Sequence, residues 1–457
     1  MDPNVQRRFE RLAAAAEAAP EVAWKEPPRW LPPTFHALAY PNYLLLFIGQ
    51  ISNSLAMWMD LVARPVLVVA ITGSSVQLGL IALVRGVPMM FLGPFGGLVS
   101  DRIDRRVVML FSKSMSMAVN ITFAAIIITG NVELWHIYAT AIMRSLLMAF
   151  DGPARQALLP SLVPPNLLLN GIALNTGSMQ IVRILSASVA GFFIAFWAFA
   201  FGFEAEDARS FGGVYLVTAV AYVVAVAATY LMKVPMAGRV EPTRDNWLEG
   251  LKNGFKFAGG NPVILGLLVL FAVQSLFGMP YLQVFVPWLA LQVMDLGAEG
   301  VGVLLAISGI GSLAGALSLA TFGSKLRHRG LIIIGGLAVY GLALSGLGLS
   351  SMLPLVAVLG LAVPILPAVM IIIVGLGQTA MMTVRTAVLM EVTPNELRGR
   401  VFSLMTLDRG FSTLGSGAGG FAIAAIGGPL ALALYGGLCA FGAVLVGALL
   451  PSLRRVD

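Results

Sequence analysis

Apolar stretches of about twenty residues recur along this chain, and they restrict its fold more than anything else in it. A helix rises 1.5 Å per residue, so about 20 apolar residues cross a hydrocarbon layer about 30 Å thick. Stretches of that length lie near 43–71, 76–99, 107–129, 133–154, 167–200 and 212–232, and again near 262–287, 300–323, 331–350, 355–384, 400–425 and 429–450. In lipid every backbone N–H and C=O must be satisfied within the segment, so runs of this length read as helices. The expectation is an all-α membrane protein with twelve transmembrane helices. The run from Leu331 to Val384 has to hold two of them, with Pro364 and Pro367 obscuring the division. Composition agrees. Of 457 residues 58% are hydrophobic and 11% charged, against about 25% charged in soluble domains. Fifty glycines and 25 prolines fit this class, because neighbouring helices re-satisfy the backbone groups they free.

The charges between the runs give an orientation. With both termini placed in the cytoplasm, 23 of the 29 Lys and Arg residues fall on that side. They lie in the tail, in Arg102–Lys113, at Arg155, in the central interval, in Lys325–Arg329, in Arg385–Arg400 and at the C-terminus. Arg209 alone falls in a loop on the opposite side, where Glu133, Glu204, Glu206, Asp207, Asp295 and Glu299 also lie. The positive-inside rule therefore predicts cytoplasmic termini in an inner membrane. The same scatter argues against nucleic acid as a partner despite the net charge of +7, since no basic face is assembled. The first forty residues have no apolar h-region, so the first span is expected to act as its own insertion signal. A helix over Val5–Ala19 and an extended Pro-rich run from Pro27 to Pro33 are expected in this leader. Cys439 is the sole cysteine, and His36, His136 and His328 are far apart, so neither a disulfide nor a metal site is supported. No nucleophile–base constellation stands out. Gly375-Leu-Gly377 lacks the preceding strand that a dinucleotide loop needs. Neither an enzyme nor a cofactor is expected.

The chain repeats itself. Arg155-Gln-Ala-Leu-Leu-Pro-Ser-Leu-Val-Pro-Pro-Asn-Leu167 matches Arg385-Thr-Ala-Val-Leu-Met-Glu-Val-Thr-Pro-Asn-Glu-Leu397, with Arg, Ala, Leu and Pro in register. Asp101-Arg102-Ile103-Asp104-Arg105-Arg106 likewise matches Ser324-Lys325-Leu326-Arg327-His328-Arg329. Two parallel, pseudo-symmetric six-helix bundles follow, over 42–232 and 262–450. The tail 1–41 precedes them, the linker 233–261 joins them and 451–457 ends the chain. In the linker, Trp247, Leu248, Leu251, Phe255 and Phe257 among Glu249, Lys252 and Lys256 predict an amphipathic helix on the lipid surface.

Twelve spans in two parallel halves, with Gly97-x-x-x-Asp101-Arg102-x-x-Arg105-Arg106 between the second and third, resemble the major facilitator superfamily of secondary transporters. Gly152-Pro-Ala-Arg155-Gln-Ala-Leu-Leu-Pro160 and Thr393-Pro-Asn-Glu-Leu-Arg398-Gly-Arg400-Val are similar to the bacterial exporter branch that includes the enterobactin exporter and macrolide efflux proteins. The resemblance implies a monomer that moves a small molecule by alternating access, as a proton-coupled exporter. It also implies that Gly97, Asp101, Arg102, Arg105 and Arg106 form a cytoplasmic latch across the halves. Arg155, Arg385, Glu391, Arg398 and Arg400 are expected at that cytoplasmic gate, with Glu391 more a loop anchor than a coupling residue, and Asp408 and Arg409, in the cytoplasmic third of the eleventh span, are expected as a gate or structural pair rather than a substrate contact. There are departures. Ser324 replaces the Asp of the second-half copy, which would make the latch lopsided. Ser186-Ala187 stands where the branch often has the Gly-Pro associated with antiport, which favours an uncoupled facilitator or a lipid-type transporter. A transport-inactive membrane sensor is a further alternative.

Charges at mid-bilayer cost about 2.5–3.5 kcal/mol each on insertion scales, so they usually face a cavity or a partner. Asp60, Arg64, Arg85, Arg144 and Arg183 lie near the centres of spans in the first half. Asp60 and Arg64, four residues apart, share a helix face. In one reading Asp60 is the proton-coupling residue while Arg144 and Arg183 line an electropositive cavity for an anionic or polar substrate. In the other, Asp60 and Arg64 form a buried structural pair. Gly311 and Gly315, and the cluster Gly415, Gly417, Gly419 and Gly420, predict closely packed helices.

Overall fold

A computed structural model describes residues 26–28, 30–204, 207–233, 256, 259–322, 328–353, 365–393 and 408–456, without the side chains of 93–102, 157, 169, 180, 187, 320–322, 390, 408 and 409. Among the described residues there are twelve long helices and no strand. The first six are α1 Pro41–Thr72, α2 Ser75–Arg102, α3 Arg105–Ile128, α4 Leu134–Leu158, α5 Leu168–Phe201 and α6 Gly212–Leu231. The second six are α7 Pro262–Val293, α8 Gly297–Phe322, α9 Arg329–Ser350, α10 Ile365–Val392, α11 Asp408–Ile426 and α12 Gly428–Leu449. Ten of the described helices are long and apolar enough to cross a membrane, by length and composition. The two below that measure are α4, which carries Arg144, Asp151 and Arg155, and α11, whose apolar part is the short Gly410–Ile426. The protein is thus an all-helical, multi-pass membrane protein, with ten spans by this measure where the sequence suggested twelve. The expected leader helix over Val5–Ala19 and the linker helix around Trp247 lie outside the described residues.

Local chemistry sets the helix ends. Pro41 opens α1, where its missing N–H would have had no partner in any case. Gly73 closes that helix in the left-handed region at φ 56°, its N–H donating to the Val69 carbonyl at 2.8 Å. The Asp104 side chain accepts from the Arg106 N–H at 2.8 Å and so caps α3. Helix α7 is broken by π-turns at Gln274–Gly278, Tyr281–Phe285 and Leu289–Val293, around Pro280 and Pro287. Each π-turn rotates the following side chains relative to an α-helix, a device frequent at functional sites.

Within the first half α1 packs on α5 and α6, α2 on α4, and α3 on α4 and α6. All five pairings recur with every helix number raised by six: α7 with α11 and α12, α8 with α10, α9 with α10 and α12. The two halves meet mainly where α2 packs on α11 and α5 on α8. The first contact depends on glycine. A Cβ on Gly79 would lie 2.8 Å from the Gly420 Cα and 2.9 Å from the Gly417 carbonyl, so only hydrogen fits. Such close approach gives dispersion and Cα–H contacts where lipid supplies no hydrophobic force between helices. Gly311 and Gly315 instead face the α10 backbone at Ile372 and Leu376, and Gly415 faces the α7 backbone at Leu276. The outer surface carries Phe192, Phe199, Val220, Leu342 and Phe441, an apolar exterior suited to lipid.

Candidate functional site

Asp60 is the centre of the site. It lies near the middle of α1 and is 1% exposed, a carboxylate that has to be paired to remain charged there. Arg64, one turn on, donates from Nη2 at 2.8 Å and from Nε at 3.0 Å to Asp60 Oδ1. Its Nη1 donates to the Ile137 carbonyl and to Thr140 Oγ1, both at 2.9 Å, which ties α1 to α4. The Tyr215 hydroxyl of α6 donates to the same Oδ1 at 3.2 Å. The other oxygen, Oδ2, accepts from Arg64 Nε at a longer 3.3 Å and also meets a second pair of arginines. Arg144 Nη1 of α4 is 3.0 Å away, an ion pair out of line for a hydrogen bond, and Arg85 Nη1 of α2 is 3.9 Å away. Three helices thus bring three guanidiniums to one carboxylate. Arg64 also lies 5.3 Å from the Phe123 ring centroid, and Arg144 5.7 Å from that of Tyr222.

The Oδ2 side opens on a cavity of about 780 Å³. Asp60 is the only acidic residue in its lining among the described residues, whereas Arg85, Arg144 and Arg155 all contribute. The wall also includes Met57, Met89, Met148 and Met179, adaptable apolar side chains suited to a varied ligand. Gln283 of α7 and Ser412 and Thr413 of α11 supply polar groups from the second half. From Asp60 the lining runs to Leu159, Pro160 and Leu168, the end of the bundle where α1 begins. At the opposite end the halves touch, Gly79 against Gly420, and Gly191 with space of only 3.1 Å to the Glu299 Cα for a Cβ.

The structure gathers four of the five intramembrane charges and separates the fifth. Arg183 does not line this cavity. It lies 5.2 Å from the Trp58 ring centroid and reaches Gln378 Oε1 of α10 at 3.5 Å. Gln378 accepts in turn from the Tyr281 hydroxyl at 3.0 Å, and that hydroxyl is 2.8 Å from Ser308 Oγ. A polar chain from α5 through α10 and α7 to α8 therefore bridges the halves.

The expected gate residues whose side chains are described each have their own partners. Arg106 donates to the Thr229 carbonyl at 3.2 Å and to that of Tyr230, so it caps α6 of its own half. Arg105 opens α3 beside it. Arg155 is 3.9 Å from Asp151 and lines the cavity. Glu391 accepts from Arg329 at 2.8 Å, joining α10 to the start of α9. Arg385 is buried inside α10, 3% exposed, with Nη1 donating to Gln274 Oε1 at 2.8 Å and its guanidinium 4.3 Å from the Phe271 centroid. It is a core charge rather than a loop charge. Lys113 is another, 2% exposed in α3 with Nζ donating to Thr229 Oγ1 at 2.9 Å. Both belong to the bundle interior and leave the reckoning of loop charges. Gly97, Asp101 and Arg102 are in the last turns of α2, and Asp408 and Arg409 open α11, with side chains outside the description. Arg398, Arg400 and Ser324, with the second half of the latch, lie outside the described residues.

Sequence reasoning overlooked Asp151, Tyr215, Tyr222, Gln283 and Gln378. Asp151 was a visible signal, a carboxylate inside an expected span, obscured by its nearness to the span's end. The tyrosines and glutamines had none, since nothing in their spacing distinguishes a residue facing the centre from one facing lipid.

A profile described as Major Facilitator Superfamily matches residues 46–407. Macrolide efflux protein A of Streptococcus pyogenes is 24% identical over 347 residues, 73% of this chain and 77% of that protein. The enterobactin exporter EntS of Escherichia coli O127:H6 is 21% identical over 421 residues, 91% of this chain and 93% of that one. Among solved structures, a D-xylose–proton symporter superposes with a TM-score of 0.70 at 13% identity, covering 91% of this chain and 99% of its own. The nucleoside transporter NupG superposes with a TM-score of 0.67 at 12% identity, covering 91% and 100%. With this match running over most of its length, the chain belongs to the major facilitator superfamily, and it is a membrane transporter rather than an enzyme.

Proposed function

We propose that this transporter exports a small anionic molecule by alternating access, with Arg85 and Arg144 holding the cargo and Asp60 coupling its movement to protons. One observation carries the reading: three guanidiniums converge on a single carboxylate at the wall of a large cavity, so the one negative charge there is outnumbered by the positive ones. Low-dielectric walls focus such a field and raise the local concentration of anions. Outward transport is supported by the relatives, named for macrolide efflux and enterobactin export. The division into bundles over 42–232 and 262–450, joined by a cytoplasmic linker, belongs to the same reading. So do a monomeric state and an inner-membrane location with both termini inside. The cavity reaching the end where α1 begins is then an inward-facing one. The fully bonded Asp60–Arg64 pair favours a second reading, an uncoupled facilitator in which Asp60 is structural.

Uptake of labelled benzenesulfonate into inverted vesicles, with and without a pH gradient, tests the reading. Uptake should exceed that of vesicles lacking the protein, respond to the gradient, and fall at least about tenfold in Arg144→Gln, which corresponds to about 1.4 kcal/mol. Uptake indifferent to the gradient would support the facilitator. Uptake no greater than in empty vesicles would contradict both.

A further inference from the structure

We infer that proton and cargo are loaded together and not exchanged, because the Asp60 carboxylate and an anionic cargo compete for the Arg85 and Arg144 guanidiniums across one wall of the cavity. The inference rests on the anionic-cargo reading above and gives the sign of its coupling. The two carboxylate oxygens have different duties. Oδ1 takes the shorter bonds from Arg64 and the bond from Tyr215, neither of which lines the cavity, and Arg64 Nε keeps only a longer 3.3 Å contact with Oδ2. Oδ2 faces Arg144 and Arg85, the two arginines that also line the cavity. Of the cations around Asp60, Arg85 is the most open, with its side chain 25% exposed against 10% for Arg144 and 3% for Arg64.

Every charged or titratable group bonded or ion-paired to Asp60 among the described residues is accounted for. They are Arg64 on its own helix, Arg85 on α2, Arg144 on α4 and Tyr215 on α6. Arg183 of α5 turns to Trp58 and Gln378, and the α7 residue at the cavity, Gln283, does not titrate. Among the described residues the cavity lining holds no second carboxylate, and Asp151 of α4, which shares a small side pocket with Arg144, is paired with Arg155 at 3.9 Å. An anion bound between Arg85 and Arg144 therefore sets its negative charge against Oδ2. A proton from cavity water on Oδ2 removes that repulsion, giving up the longer Arg64 Nε contact there and leaving the shorter Arg64 bonds to Oδ1 in place. Protonation raises affinity for the anion and, by reciprocity, the anion raises affinity for the proton. For a monoanion the empty site with ionised Asp60 and the loaded site with neutral Asp60 carry the same charge. One anion and one proton then leave together without net charge, driven by the cargo's own gradient. An exchanger needs the opposite linkage.

Calorimetry on the purified full-length protein tests this, with benzenesulfonate as probe because it stays ionised throughout and any proton taken up belongs to the protein. Buffers of differing ionisation heat give the proton count. The expected result is close to one proton taken up per benzenesulfonate bound, with affinity rising up to about tenfold per pH unit of acidification where Asp60 titrates. Asp60→Asn, which mimics the protonated form, should bind at least about tenfold tighter than wild type at alkaline pH, with no proton uptake. If that variant does not fold, the wild-type proton count decides alone. Proton release on binding, or binding with no proton change at any pH, would overturn the inference and leave the anionic-cargo reading standing. Failure of wild type to bind benzenesulfonate at any pH would overturn both.

Discussion

Asp60 and Arg64 tie α1 to α4 and α6 while Arg85 and Arg144 line the cavity, and the difference shows in their hydrogen bonds. Arg64 reaches Asp60, the Ile137 carbonyl and Thr140 from a position 2% exposed. Removing Arg64 leaves Asp60 its ion pairs with Arg85 and Arg144 but takes a donor from Asp60 Oδ1, the Ile137 carbonyl and Thr140, and a buried group left unsatisfied costs about 1–3 kcal/mol. Arg64→Met should therefore lower thermal stability sharply in detergent, whereas Arg85→Gln, at a more open site 3.9 Å from Oδ2, should lower it little while reducing benzenesulfonate uptake. Scanning fluorimetry beside uptake checks this, and equal destabilisation by both would contradict the division. Lys113 gives a second prediction at this scale. Its ammonium is buried against Thr229, so Lys113→Met, which keeps the stem and removes the charge, should be tolerated better than Thr229→Val, which leaves the charge and removes the hydroxyl. The pairing of Asp60 with Arg64 was legible in the sequence from their spacing of four. The arrival of Arg85 and Arg144 at the same carboxylate was not, because it depends on how α2 and α4 are rotated against α1.

At the level of helices, the contact of α2 with α11 closes the end of the cavity opposite the start of α1. Gly79, Gly417 and Gly420 bring the two backbones together there. Gly79→Val would force them apart, an overpacking cost of about 1–3 kcal/mol. It should leave the protein folded and increase labelling of a cysteine introduced by Ser74→Cys, in a Cys439→Ala background, by an impermeant thiol reagent. Unchanged labelling would show that this contact does not seal the end. Glycine clusters were readable as packing devices, but not their partners: Gly311 and Gly315 serve α10, and Gly415 serves α7. The helices themselves were readable because hydrocarbon imposes their length. Where charge enters a helix that reading weakens, and α4, bearing Arg144, Asp151 and Arg155, falls below the apolarity of a span for the same reason that it serves the site. The π-turns of α7 had only Pro280 and Pro287 as a signal, and those fix neither their number nor their direction.

For the whole molecule, the repeat of five helix pairings at a displacement of six is the architecture two related halves require to rock about a shared cavity. The sequence carried it in the matched segments at Arg155 and Arg385, yet those two arginines now differ in setting. Arg155 faces the cavity and Arg385 is locked on Gln274 within the second half. Symmetry of fold therefore does not extend to chemistry, and the charged site belongs to the first half. Alternating access, as proposed, requires this one cavity to open to each side of the membrane in turn. It is tested most directly by introducing Met57→Cys, at the level of Asp60 in the cavity wall, into a Cys439→Ala background. Labelling by a membrane-impermeant thiol reagent is then compared in inverted and right-side-out vesicles, beside Thr176→Cys in the part of the cavity nearer the end where α1 begins. With alternating access the cysteine at position 57 should be reached from both faces and the one at position 176 from the cytoplasmic face alone, with benzenesulfonate protecting the first. A cysteine at position 57 reached from one face only, whatever the cargo or pH gradient, would contradict it.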